Sequence, residues 1–174
     1  MEIWDIYDKN RRLTGRTNIR GVPLPPGDYI LCVRAWIMNG RGEFLITKRT
    51  PEKEMFPDFW ETTGGSALKG EDSITGILRE IKEETGLCLP AEKGALLTSI
   101  RRDEDLRSFN DIWLFRCEFD MKDIILQPGE TVEAKKAALE EIEAMMESGE
   151  FVPKSVLPEF DLLIAVANCG KNIV

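Results

Sequence analysis

The sequence contains no histidine. That absence removes Ser-His-Asp and Cys-His catalysis, histidine general bases and histidine metal ligands together. Its four cysteines, Cys32, Cys88, Cys117 and Cys169, form no C-x-x-C pair, so neither a zinc knuckle nor a dithiol redox motif is present. Reduced, mostly buried thiols are expected. Any resident metal must be a hard ion held by oxygen. No apolar run approaches the roughly 20 residues that span a bilayer. The opening MEIWDIYDKN is mixed and acidic, without the apolar stretch of a secretory signal, and a cytoplasmic protein is expected. Positive charge is scarce as well, with 23 Lys and Arg against 31 Asp and Glu, net −8. This balance disfavours nonspecific nucleic acid and anionic membranes as partners. It still admits a phosphorylated small molecule, provided that a cation sits between the two.

What is there is an ordinary globular composition: 174 residues, 43% apolar and 31% charged, enough for one domain with a real core. Residues 2–7 read as a strand that 13–21 returns as a hairpin, and the proline-rich 23–28 closes this N-terminal extension. YILCVRAWIM (29–38) reads as a central strand buried on both faces. Asn39-Gly40 signals a hairpin into 43–49. The stretch 50–65 is a long loop, of a length that is usually functional or disordered. Residues 71–86 form a helix ended by Gly86, and 95–102 and 109–120 are strands. Two further helices are expected, at 133–147 and, beginning properly after Pro158, at 155–168. The order suggests a mixed sheet with helices on both faces.

The helix at 71–86 poses an electrostatic question. At about 100° per residue, Ile74, Ile77, Leu78 and Ile81 share one stripe, and Glu80, Glu83 and Glu84 crowd the next. Like charges one turn apart repel by about 0.2–0.5 kcal/mol per pair, and few lysines stand where they could offset this. Gly76, costing about 1 kcal/mol against alanine inside a helix, suggests that something approaches this face closely. Arg79 beside the glutamates can fork onto a carboxylate. A divalent cation would turn the repulsion into coordination, and Mg²⁺, which bridges carboxylates to phosphates, suits it.

Gly65, five residues, Glu71, seven residues, Arg79-Glu80-Ile81, one residue, Glu83-Glu84, one residue, Gly86-Leu87: this spacing resembles the Nudix box at every specified position, over residues 64–87. More loosely, WDIYD, GRTNIRGVPLPPGDY and GEFLITKRTPEKEMFPDFWE are similar to the Nudix branch that resembles isopentenyl-diphosphate isomerases. The resemblance implies an α/β fold, the α/β/α sandwich with a mixed sheet, in a single domain over 1–174. It implies hydrolysis of a diphosphate linkage, in a nucleoside diphosphate derivative or nucleotide, by water attack on phosphorus. Glu80, Glu83 and Glu84, with the Gly65 carbonyl, would hold Mg²⁺, or Mn²⁺ in its place. One of the glutamates would help to deprotonate water, Arg79 would orient them, and Glu71 would brace the loop. A homodimer is a further state met among such relatives.

The alternatives are an isomerase and a silent nucleotide-binding protein. The isomerases use a loop cysteine and histidine ligands, whereas FWETTGGSAL carries no cysteine, the chain has no histidine, and Cys32 lies in an apolar run. Arg49 and Lys53 match positions that hold a diphosphate in the isomerases; the other reading is ordinary surface cations. Trp60, Phe56 and Trp113 either stack a base or pack. Asp111 and Glu133 are candidates for a second metal or a general base. Lys136 stands near where many relatives carry tryptophan. Nucleotides, sugar nucleotides, ADP-ribose-like dinucleotides and prenyl diphosphates all remain open as substrates, and the loops 50–63 and 101–110 carry no decodable motif.

Overall fold

A computed structural model describes residues 1–104 and 106–169; Asp105, within the loop 101–110, and the Cys169 thiol lie outside the described residues. An N-terminal ribbon pairs β1 (Ile3–Tyr7) with β2 (Leu13–Ile19). A seven-stranded mixed sheet follows, built from β3 (Ile30–Met38), β4 (Phe44–Arg49), β5 (Trp60–Glu61), β6 (Gly64–Ser66), β7 (Gly94–Arg102), β8 (Ser108–Arg116) and β9 (Thr131–Ala137). β3 lies at its centre. It runs parallel to β8 and antiparallel to β6, and meets β4 only at Met38 and Phe44.

Alternate residues of a strand face opposite sides, and β3 uses both. Val33, Ala35 and Ile37 pack beneath α1 (Ser73–Thr85) with the fully buried Ile77 and Ile81. Trp36 and Met38 face α2 (Leu139–Ser148) and α3 (Phe160–Cys169), with Phe44, Phe151, Phe160 and Leu163. Two apolar layers therefore enclose the sheet, which is the expected α/β/α sandwich. A smaller cluster of Trp4, Ile6 and Ile30 seats the ribbon on this body. Among the described residues, no helix is long and apolar enough to cross a membrane.

Several expectations need correction. Residues 131–137 form β9 rather than a helix, antiparallel to β4 from Phe44↔Ala137 to Arg49↔Thr131. The long-range ladder overrides the helix preference of Glu, Ala and Lys in TVEAKKA, and α2 begins only at Leu139. The loop 50–65 contains two short strands, β5 and the start of β6. The hairpin after β3 does form as expected, its turn over 39–42. Asn39 Oδ1 accepts the amides of Arg41 and Glu43, and Gly42 takes the positive φ of 80°. β8 stops at Arg116 rather than 120. Cys88 is exposed rather than buried, and Cys32 and Cys117 are free and half-buried.

Candidate active site

The acidic helix is well defined at both ends. Asp72 caps α1 by accepting the Thr75 amide at 2.9 Å, and Gly86 (φ 75°) donates its N–H to the Lys82 carbonyl. With Ile77 and Ile81 buried, Arg79 sits where the helix meets the β6 loop and becomes a hub. Its Nε donates to Glu71 Oε1 at 2.8 Å and its Nη2 to the Ser66 carbonyl at 2.9 Å. Its Nη1 reaches Glu80 Oε1 at 3.0 Å and Glu83 Oε2 at 2.9 Å. Glu71 Oε2 also accepts the Leu68 amide at 2.8 Å, so helix and loop are tied through one carboxylate and one guanidinium. Gly76 faces this tie rather than an open working surface: a Cβ there would meet Ala67 Cβ at 3.2 Å and Glu71 Oε2 at 3.4 Å.

The charges perturb one another. Burial works against the Arg79 charge, but the Glu71 and Glu80 carboxylates outweigh it and push its pKa up. Burial also raises Glu71, yet the Arg79 bond and the Leu68 amide hold it below its ordinary value. Glu80 is pushed up by burial despite Arg79. Glu84 lies well above its ordinary value, first through burial and then through the charges of Glu61 and Glu80. Glu61 is raised by burial even with Arg49 beside it.

Glu80, Glu83 and Glu84 form one wall of a cavity of about 260 Å³, with Gly64 and Gly65 at its floor. Arg20, Arg49, Lys53 and Arg79 supply opposite charge, and the rest of the lining includes Glu2, Trp4, Leu106 and Glu130. Each cation already has an acidic partner: Arg20 Nη1 bonds Glu2 at 2.7 Å, Arg49 Nη1 bonds Glu61 at 2.7 Å, and Lys53 bonds Glu130. Burial, then Arg49 and Arg20, lowers the Lys53 pKa. Arg49 also borders a second cavity of about 230 Å³, whose lining includes Arg34, Phe56, Thr62, Arg102, Val152 and Val156. Larger spaces lie elsewhere, about 380 Å³ around Asn39 and Arg116 and about 400 Å³ beside Val22 and Leu24. Charge, rather than volume, singles out the smaller cavity.

The carboxylate and carbonyl oxygens here suit Mg²⁺ or Mn²⁺. A Cβ on Gly65 would lie 2.3 Å from Glu80 Oε1, so the Gly65 backbone and the Glu80 carboxylate already share one corner. Among the described residues, no group of three or more histidine, cysteine or acidic side chains is arranged to hold a metal ion, and Glu80 and Glu83 share Arg79. By donor type the residues fit a hard cation, and Arg79 is the group that orients Glu80 and Glu83.

The same contact yields a paired expectation. Gly65→Ala meets the end of a flexible side chain, so the protein should fold while Glu80 is displaced and turnover falls about tenfold or more. Gly64→Ala instead places a Cβ 2.7 Å from the Val33 carbonyl oxygen, which the sheet holds fixed. It should cost about 1–3 kcal/mol of stability. Urea unfolding of the two variants checks the contrast.

Other expected residues are not brought here. Asp111 is fully buried on β8, and both its oxygens bond the Arg11 guanidinium. It is thereby spent on anchoring the ribbon. Glu133 sits on β9 facing Lys48 at 3.3 Å. Trp60 packs on the core beneath Lys135, and Trp113 bonds Ser73 Oγ at 2.9 Å through its indole N–H. Phe56 packs on Phe59 and also borders the second cavity. Lys136 lies over the Phe119 ring. Sequence reasoning missed Arg20, Glu61 and Glu130. Their partners are distant in the chain or separated by a turn, and no local spacing announces them.

The NUDIX domain model matches residues 28–160. An uncharacterized Nudix hydrolase of Listeria monocytogenes is 39% identical over 154 residues, covering 88% of this chain and 89% of that protein. Its counterpart in Listeria innocua is 38% identical over the same shares. Among solved structures, the DR0079 protein of Deinococcus radiodurans superposes with a TM-score of 0.75 at 21% identity, covering 92% of this chain and 98% of that one. The NUDIX domain of Shewanella oneidensis NrtR, crystallised with ADP ribose, superposes with a TM-score of 0.63 at 15% identity, covering 85% and 92%.

Proposed function

The chain belongs to the Nudix family and is a Nudix hydrolase, and we propose that it cleaves a diphosphate linkage in a nucleoside diphosphate derivative or nucleotide, by divalent-cation-dependent attack of water on phosphorus. The observation that carries this reading is the cavity with a glutamate wall opposite Arg49 and Lys53. Acid alone would repel phosphate, and base alone would bind it without hydrolysing it.

Glu80, Glu83, Glu84 and the Gly65 carbonyl are the groups that would hold Mg²⁺ or Mn²⁺. When bound, such an ion supplies a lowered pKa for water and offsets charge on the leaving phosphate. The remaining work falls to the chain's own side chains. Arg79 fixes Glu80 and Glu83 against the loop. One of Glu83 and Glu84 accepts the water proton. Arg49 and Lys53 take phosphate oxygens by exchanging Glu61 and Glu130 for substrate. The second cavity, bounded by Arg49, offers Phe56, Val152 and Val156 to the organic portion. The leaving phosphate departs as a stable anion, so the lack of histidine is no obstacle. Cys32 does not line the cavity, and burial pushes its thiol up, which weighs against an isomerase.

The test is release of phosphate or nucleotide from a panel of nucleoside di- and triphosphates, sugar nucleotides, ADP-ribose-like dinucleotides and prenyl diphosphates with Mg²⁺. At least one linkage should be cleaved, EDTA should stop cleavage without changing the melting curve, and Arg49→Ala should raise KM about tenfold, a charge-assisted hydrogen bond contributing about 1.5–3 kcal/mol. No hydrolysis across the panel would overturn the reading. An unaltered KM would remove Arg49 from it.

A further inference from the structure

The family match begins at residue 28, yet Glu2, Trp4 and Arg20 of the preceding ribbon line the cavity. We propose that the β1–β2 ribbon is a specificity element whose Arg20 binds a free terminal phosphate, so that a nucleoside diphosphate or triphosphate is preferred over a diphosphate esterified at both ends. This inference rests on the diphosphate reading above.

The ribbon is fastened to the catalytic loop. Lys69 N donates to the Ile3 carbonyl at 2.8 Å, and Gly70 N donates to Asp5 Oδ2 at 2.7 Å. Arg11 grips the buried Asp111, and Arg16 Nη2 bonds the buried Asp28 at 2.6 Å. Trp4 and Ile6 pack on Ile30. The end of β2 is therefore held in place relative to the glutamate helix, and the following Arg20 donates its own amide to the Glu2 carbonyl at 3.1 Å.

Charge sets the assignment. A diphosphate esterified at both ends carries two negative charges, and Arg49 and Lys53 match them. A free terminal phosphate adds charge and unesterified oxygens. Arg79 is committed to Glu71, Glu80, Glu83 and the Ser66 carbonyl, which leaves Arg20 as the third cation among the described lining residues. Its present partner is Glu2, in a pair with side chains 60% and 41% exposed. An ion pair so exposed contributes little, whereas arginine forks onto phosphate strongly, so substrate displaces Glu2 readily.

Binding tests this without turnover. Titration calorimetry with Mg²⁺ compares a methylene-bridged nucleoside diphosphate with the same analogue esterified by a sugar on its terminal phosphate. The wild type should prefer the free analogue. Arg20→Gln should cut that preference about tenfold, and Arg20→Lys should restore part of it, with melting curves confirming that both variants fold. An unshifted preference in Arg20→Gln, or a wild type that prefers the ester, overturns the inference alone. Failure to bind either analogue overturns it together with the diphosphate reading. Absence of hydrolysis across the panel tests that reading separately.

Discussion

Glu83→Gln is expected to lower turnover by about 10²–10⁴-fold, the range for loss of a positioned proton acceptor, while leaving stability within about 1 kcal/mol of the wild type. The two effects separate because of where Glu83 sits. Its side chain is 47% exposed and is held by Arg79 Nη1 at 2.9 Å, a nitrogen that also serves Glu80. Glutamine keeps the length and one acceptor oxygen, and loses the charge needed for a cation and for a proton. Turnover on the best panel substrate and a urea melt of the same preparation check this. A fall in turnover of less than tenfold would mean that the helix face is not the machinery proposed.

Arg79→Met is expected to damage both properties. Its side chain is 20% exposed and serves Glu71, Glu80, Glu83 and the Ser66 carbonyl. Removing one partner of a buried ion pair costs about 3–5 kcal/mol, and partial exposure of this cluster brings the expected loss to about 3 kcal/mol. Turnover should fall at least about 10²-fold, since Glu80 and Glu83 lose their common anchor. Acid should narrow the stability gap between variant and wild type. Glu71 titrates below its ordinary value of 4.5 when folded, because the Arg79 bond and the Leu68 amide outweigh burial. Its contribution is present above the unfolded pKa and is lost as pH falls through the lowered folded one. Denaturation at neutral pH and near pH 3 measures the change. Arg79→Lys keeps the charge without the fork and should rescue stability better than turnover.

Much of this architecture was legible in the chain. The two-sided apolar run 29–38 announces β3, the Ile74–Ile81 stripe announces the buried face of α1, and Gly86 marks its end. The glutamate spacing, with its resemblance to the Nudix box, points to the family that the domain match shows, and the fold gathers Gly65, Arg79, Arg49 and Lys53 around one cavity. What stayed hidden depends on contacts far apart in sequence. TVEAKKA becomes a strand only because β4 offers it an edge. Asp111 is unavailable because Arg11, on the ribbon, claims both its oxygens. Glu130, in the turn that leads directly into β9, lines the cavity and pairs with a lysine many residues earlier. Gly76 signals a close approach in the sequence, but only the fold identifies Ala67 and Glu71 as what approaches.

Hydrolysis of the best substrate in H₂¹⁸O, followed by mass analysis of the products, bears most directly on the proposed chemistry. The expected result is one ¹⁸O in a phosphate product for each linkage broken, dependent on Mg²⁺ and all but lost in Glu83→Gln. Label on carbon, a rearranged product with no linkage broken, or equal turnover by Glu83→Gln would contradict water attack on phosphorus at the acidic helix.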